Sequence, residues 1–219
     1  MRIEEIVSVV PKSKVVADVG CDHGYIAYSV IKKGLADKVV LTDVSQKCLD
    51  KAVALLSKEI ALGKATAICC DGLTKVFEPV DTAIIAGMGG EEIIKIIAQS
   101  AGRLSVKNLV LQPMKNSEKL RRFLVDGSFS LIRDYTFLDA GKYYDLIFAV
   151  KSDEKDLYSD DEFFFGKENL TKKPDAFINR CKKEIEDIKS WMSSPSLNEN
   201  SLVELEKKLN KYSTVIGEK

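Results

Sequence analysis

Five apolar runs of strand length, each ending in an acid, an amide or a glycine cluster, constrain this chain more than any other feature. They cover residues 15–19, 39–43, 66–70, 82–86 and 108–112. Segments with helical spacing accompany them at 2–9, 24–33, 46–62, 91–101 and 117–126. In 46–62, Leu49, Ala52, Val53, Leu56 and Ile60 recur at the interval of one helix face. Apolar strands separated by room for a helix predict a parallel sheet covered on both faces. After residue 127 the pattern changes. Leu131–Leu138 and Tyr143–Val150 are strand-like runs joined by Asp139-Ala140-Gly141-Lys142, a hairpin signal. The expected fold is α/β, with five parallel strands followed by a terminal antiparallel hairpin.

A second unit is expected beyond this sheet. Ser152–Glu162 reads as an acidic linker with few apolar residues. Ile178, Cys181, Ile185, Ile188 and Met192 then step by three and four, as do Leu202, Leu205, Leu209, Tyr212 and Ile216. Ser193–Asn198 contains Pro195 and must break a helix between them. Two apolar seams with a short break predict an antiparallel, coiled-coil-like helical hairpin. The expected division is 1–151 for the sheet domain and 152–219 for the linker and helical extension.

Composition narrows the classes. Lys and Arg number 33 and Asp and Glu 33, so a nucleic-acid partner would need a local basic patch rather than a global field. No apolar run reaches about 18 residues, so no membrane span is expected, and Met1–Glu5 is too acidic for a signal peptide. The five cysteines form no Cys-x-x-Cys and are odd in number, which fits reduced thiols in the cytoplasm. With one histidine and no Cys/His cluster, no metal site is expected.

The chemistry is expected at the strand ends. Residues 16–24, Val-Ala-Asp-Val-Gly-Cys-Asp-His-Gly, form a strand, a glycine turn and a helix start, a combination that lets a nucleotide lie on bare backbone. Asp43 ends the second run, 23 residues after Gly20, where an acid suits a ribose diol. Asp71-Gly72 ends the third and suits an adenine amine. Gly87-Met88-Gly89-Gly90 ends the fourth and implies close backbone approach. Gln112-Pro113-Met114-Lys115-Asn116 ends the fifth. Two ligands compete for such a site: a dinucleotide for hydride transfer and S-adenosylmethionine for methyl transfer. The dinucleotide fingerprint needs a second glycine where Asp22 stands, and a carboxylate there repels a diphosphate. S-adenosylmethionine carries an ammonium and a sulfonium, which Asp18 and Asp22 favour.

These residues resemble the class I S-adenosylmethionine methyltransferases and, more narrowly, the bacterial tRNA (adenine-22-N1)-methyltransferase family. The resemblance rests on Asp18–Tyr25, Gly87–Gly90, Leu111–Pro113 and Lys142–Tyr144. It extends to the C-terminal helices. Family members often carry Thr and Ala at Cys21 and Gly24, and Asn at Met114. The resemblance implies a Rossmann-like sheet and methyl transfer to N1 of an adenine in tRNA. It implies cofactor contacts from Asp18, Gly20, Cys21, Asp22, Asp43, Val44, Asp71, Gly72, Gly87, Met88 and Gly89. Asp22, His23 and Tyr25 are the catalytic candidates. The tRNA candidates are Gln112, Pro113, Lys115, Asn116, Arg121, Tyr143, Tyr144, Lys172, Arg180 and Lys183. A monomer or weak dimer is expected. A small-molecule methyltransferase, or a cofactor- or RNA-binding module without catalysis, is the alternative.

Overall fold

The computed structural model describes residues 1–100, 106–154, 157–193 and 198–217. One seven-stranded sheet organises them. Its strands are β1 (Ser13–Val19), β2 (Ala36–Asp43), β3 (Ala65–Cys69), β4 (Thr82–Met88), β5 (Asn108–Pro113), β6 (Phe129–Asp139) and β7 (Lys142–Lys151). Their order is β3-β2-β1-β4-β5-β7-β6. The first five run parallel, and β7 pairs antiparallel with both β5 and β6. The expected five-strand parallel core with a terminal hairpin is therefore the one formed. Ala140 and Gly141, at φ 48° and 77°, supply the two positive φ angles of a tight hairpin turn.

Six helices flank this sheet: α1 (Arg2–Ser8), α2 (Tyr25–Lys32), α3 (Gln46–Leu55), α4 (Ser57–Ala61), α5 (Gly90–Ser100) and α6 (Ser117–Asp126). Adjacent strand residues feed opposite layers, as the pleat requires. Val16, Val39, Leu41 and Ile84 pack with Ile6, Ala27, Val30, Leu49 and Leu56 on one side. Ala17, Val40, Ile85 and Leu111 pack with Ile93, Ile96, Leu120 and Leu124 on the other. The segment expected as one helix over 46–62 divides at Leu56, which is fully buried with φ −99° and ψ 20°. Residue 101, the expected end of the fourth helical segment, lies outside the described residues.

The C-terminal region contains more than a linker and a hairpin. Ser159 caps α7 (Asp160–Phe165) through a reciprocal pairing with Glu162, and α8 (Lys167–Lys172) follows. Asn169 on α8 is wholly buried; its amide oxygen accepts from the Thr136 N–H at 2.9 Å and its amide nitrogen donates to the Phe165 carbonyl at 2.8 Å. Then come α9 (Asp175–Met192) and α10 (Glu199–Ile216). Lys208 meets Glu184, and Lys173 reaches the Val215 carbonyl, so the two run antiparallel. Cys181, Ile185, Ile188 and Tyr212 are buried along their seam, which Phe165 and Phe177 extend. Of the expected break at Ser193–Asn198, residues 194–197 lie outside the described residues.

Candidate active site

The chain runs outward through β1, β2 and β3 and returns to β4 on the other side of β1. Open α/β sheets bind ligands beside such a reversal, at the carboxyl ends of the strands. A cavity of about 920 Å³ lies there. Its walls include Gly20, Cys21, Asp22, His23 and Tyr25 after β1, Asp43 and Val44 after β2, Cys70, Asp71 and Gly72 after β3, and Gly87 and Met88 at β4. The structure thus brings together most of the residues expected to hold a cofactor, together with all three catalytic candidates.

Local backbone chemistry shapes this wall. Gly20 and Gly24 have φ of 68° and 75°, the left-handed conformation that glycine adopts most cheaply. Asp22 has φ 47°, so the turn holds a non-glycine residue in that region too. The Asp22 N–H donates to Asp43 Oδ2 at 3.0 Å, and the Ser45 N–H donates to Asp43 Oδ1 at 2.8 Å. Asp43 therefore ties the β1 turn to the β2 turn before any ligand binds. The Asp22 side chain remains 69 % exposed at the cavity. His23 Nε2 lies 2.9 Å from Lys51 Nζ, and its ring is 5.8 Å from that of Tyr25. Tyr25 and Val44 are exposed apolar surface at the cavity, 52 % and 70 %.

Several expected contacts fall elsewhere. Asp18 is 2 % exposed and does not line the cavity; its carboxylate accepts from the Ala27 N–H at 3.0 Å and so holds the first turn of α2. Burial, with the Asp43 charge adding to it against that hydrogen bond, pushes the Asp18 carboxyl up to about 7. Burial also pushes the Cys21 thiol upward, so it is no nucleophile at neutral pH. The glycine run after β4 serves the protein as well as a ligand. A Cβ on Gly90 would lie 2.5 Å from the Asn116 carbonyl, so that glycine lets the β4 and β5 loops touch. A Cβ on Gly89 would meet only the flexible Lys115 side chain, at 3.2 Å, and Gly89 does not line the cavity.

The substrate candidates divide. Pro113, Lys115, Asn116, Tyr143 and Arg180 line a second cavity of about 380 Å³ between the β5 loop, α6, α9 and α10, and Met114 lines both cavities. Arg121 is a correction: it is wholly buried, donates to both Asp134 oxygens at 2.9 Å, and is out of reach of a phosphate. An amphipathic reading of α6 could not separate one arginine facing inward from Arg122 beside it. Gln112 is also fully buried; its amide donates to the Pro113 carbonyl at 3.1 Å, while Oε1 has no partner. Arg180 is held by Asp145 at 2.7 Å. Lys172 and Lys183 are exposed and pair with Glu168 and Asp187, each at 2.8 Å. Tyr144 does line the main cavity, but its ring already stacks with Phe137 at 5.5 Å and meets the Arg2 guanidinium at 5.4 Å.

Sequence reasoning missed the contribution of α1. Met1, Arg2, Ile3 and Ile6 line the cavity, as does Asp139 at the hairpin. Glu5 anchors this helix by accepting from the Tyr135 hydroxyl at 2.6 Å. The one available signal was Arg2, the one cation in a first helix that is otherwise mainly acidic and apolar.

The cavity fits S-adenosylmethionine on its own chemistry. Asp22, Asp43, Asp71 and Glu92 present carboxylates to a cationic ligand, and Val44 offers an apolar surface beside the acid that suits a ribose. Among the described residues no cluster of three His, Cys, Asp or Glu suits a metal, and no helix is long and apolar enough to cross a membrane.

Comparison with known proteins agrees with this geometry. The family model described as tRNA (adenine(22)-N(1))-methyltransferase matches residues 16–215. A Mycoplasma pneumoniae protein named as a candidate tRNA methyltransferase is 33 % identical over 151 residues, 68 % of this chain and 70 % of its own. The tRNA (adenine(22)-N(1))-methyltransferase of Bacillus subtilis is 25 % identical over 159 residues, 72 % of this chain and 67 % of its own. A Streptococcus pneumoniae structure, named as a candidate tRNA (m1A22) methyltransferase in complex with S-adenosyl-L-methionine, superposes with a TM-score of 0.88. It is 25 % identical, and 98 % of each chain is covered. With the Rossmann-like sheet, the acid-lined strand ends and the helical extension all in place, the chain belongs to the tRNA (adenine(22)-N(1))-methyltransferase family.

Proposed function

We infer that this chain transfers a methyl group from S-adenosylmethionine to N1 of adenine 22 in tRNA. The observation that carries this reading is the cavity at the β1–β4 reversal, whose glycine turn presents an exposed Asp22 where a diphosphate ligand would need bare backbone. When bound, S-adenosylmethionine supplies a methyl group on a sulfonium. Adenine N1 has a lone pair, so no base must act before attack, and catalysis rests mostly on positioning. After transfer a proton must leave the exocyclic amine. Asp22 is the group placed to orient that amine and accept the proton, since its carboxylate is open to the cavity while its backbone is pinned by Asp43. The exposed ring of Tyr25 is the surface for the flipped base.

The tRNA backbone would meet the lysines that remain exposed: Lys115 beside the β5 loop, and Lys172 and Lys183 on the helical extension. Residues 1–151 act as the catalytic domain and 152–219 as the extension. A monomer or weak dimer in the cytoplasm fits this role. The test uses methyl-labelled cofactor and bulk tRNA. With S-adenosylmethionine saturating, Asp22→Ala should lower methyl transfer by roughly 100-fold or more, beyond any loss of cofactor affinity. Label appearing in a small metabolite, with tRNA bare, would sink the reading in favour of a small-molecule methyltransferase.

A further inference from the structure

The second cavity, of about 380 Å³, has the size of a small-molecule pocket and no part in the methyl transfer itself. Most of the charges around it are paired. Asp145 holds Arg180 at 2.7 Å, Glu184 meets Lys208 at 3.5 Å, Glu118 takes Arg122 at 3.0 Å, and Lys119 is bound by Glu91. These groups offer little to a further ion. Three lining side chains that reach the surface differ: Lys115, Asn116 and Tyr143 make no hydrogen bond or ion pair with any described residue.

Asn116 is the most informative of the three. It is the N-cap of α6, a place where asparagine ordinarily accepts from the first helical N–H groups, yet its side chain makes no cap hydrogen bond. Its φ of 58° and ψ of 36° put it in the left-handed region. The β4 loop holds it there. The Gly90 N–H donates to the Lys115 carbonyl at 2.8 Å, and the Asn116 carbonyl stands 2.5 Å from the Cβ position of Gly90. The backbone is thus fixed, while the amide is left at the cavity with its donor and acceptor unused. Tyr143 adds a ring that stacks on no other described ring, and Lys115 an exposed ammonium. An aromatic face, a two-way amide and one cation complement a nucleotide at its base face, base edge and phosphate.

Position says which nucleotide. Met114 lines both cavities, so what fills the second adjoins what fills the first along the polynucleotide. A base that leaves its stack strips its neighbour of a stacking partner, and a protein ring in its place offsets that loss. We propose that the second cavity is a subsite for the nucleotide next to the target adenine, with Tyr143 stacking on its base, Asn116 reading the base edge and Lys115 meeting its phosphate. The proposal rests on the reading that adenine 22 of tRNA is the substrate. It makes Asn116 a specificity-determining residue that acts away from the methyl group.

The test crosses variants of the full chain with variants of the tRNA. Asn116→Gly removes the amide and tolerates the positive φ. The nucleotides on either side of adenine 22 are each changed to the other three bases, and kcat/KM for methyl transfer to adenine 22 is measured. The unaltered chain should prefer one base on one side by roughly 5- to 100-fold, and Asn116→Gly should bring that preference to within about threefold. A base change that merely disturbs the RNA fold lowers both enzymes alike and leaves their ratio unmoved. Tyr143→Leu should weaken tRNA binding by roughly 5- to 100-fold with an unchanged salt slope, whereas Tyr143→Phe should stay near the unaltered chain. The same base preference in Asn116→Gly as in the unaltered chain, or none on either side in the unaltered chain, would overturn the proposal. Unweakened binding in Tyr143→Leu would do the same. If the unaltered chain leaves adenine 22 of unaltered tRNA without a methyl group, the functional reading itself fails, which shows before any variant is used.

Discussion

At the residue scale, the acids of the site divide by burial. Asp22 and Asp43 stand at the cavity, as their places in the sequence imply, because a turn after a parallel strand must surface at the sheet's carboxyl end. Asp18 sits four residues earlier and points into the layer under α2. The alternation of a strand decides this, but the sequence segment alone does not say which phase faces the ligand. The consequence is measurable. With its carboxyl held up to about 7, against 3.8 in the unfolded chain, folded Asp18 keeps a proton that the unfolded chain releases. Stability should therefore fall as pH rises from about 4 to about 7, by up to about 4 kcal/mol if this group acted alone. Asp18→Asn can still accept from Ala27 and should flatten that decline, as thermal unfolding at pH 4, 6 and 8 would show. An unchanged slope would place the titration on another group. Arg2 was the residue hardest to read, since no motif surrounds it and only the packing of α1 brings it to Gly87.

At the scale of elements, the five parallel strands and the hairpin were legible because their apolar runs are uninterrupted and their turns carry glycine. The helices α7 and α8 were not, because their segment is acidic and its apolar content is confined to Phe163–Phe165 and Leu170. What fixes them to the sheet is polar. Asp145 on β7 accepts from Thr136 at 2.9 Å and from Arg180 on α9 at 2.7 Å, and Arg121 on α6 lies 3.7 Å away. Arg121 also donates to the Phe163 carbonyl at 3.1 Å. Two arginines read as phosphate ligands thus serve as joints between the sheet and the extension. Burial opposes ionisation of Asp145, but Arg180 and Arg121 outweigh it and hold the carboxyl down to about 2. Its contribution should be complete above about pH 4 and should be lost as pH falls toward 2. Asp145→Asn leaves the partly exposed Arg180 without its counterion, while Arg121 keeps Asp134, and should cost about 1.5–3 kcal/mol in urea unfolding, with a weakened acid limb. A loss below about 1 kcal/mol would mean that the network is replaceable. Asn169→Ala should cost roughly 1–3 kcal/mol by stranding the Thr136 N–H and the Phe165 carbonyl.

At the scale of the whole molecule, equal numbers of acids and bases hide a local asymmetry. The cofactor cavity is lined mainly by acids, whereas the neighbouring one mixes Lys115, Lys119, Arg180 and Lys208 with Glu118, Asp145 and Glu184, and Lys119, Arg180 and Lys208 are held in ion pairs. Met114 is the ridge between them, so a base entering the first cavity carries its backbone toward the second. Binding of tRNA should weaken steeply with salt. Lys115→Gln should reduce the slope of log affinity against log salt by about one and leave cofactor affinity unaltered; an unchanged slope would remove that cavity from the RNA path. The central claim is the site of methylation. The most direct test incubates the purified chain with methyl-labelled S-adenosylmethionine and a tRNA transcript, then maps the modified nucleotide by mass spectrometry. The account predicts a single methyl on N1 of adenine 22, absent when that adenine is replaced by guanine. A methyl on an exocyclic amine, at another position, or on no nucleotide of any tRNA would contradict it.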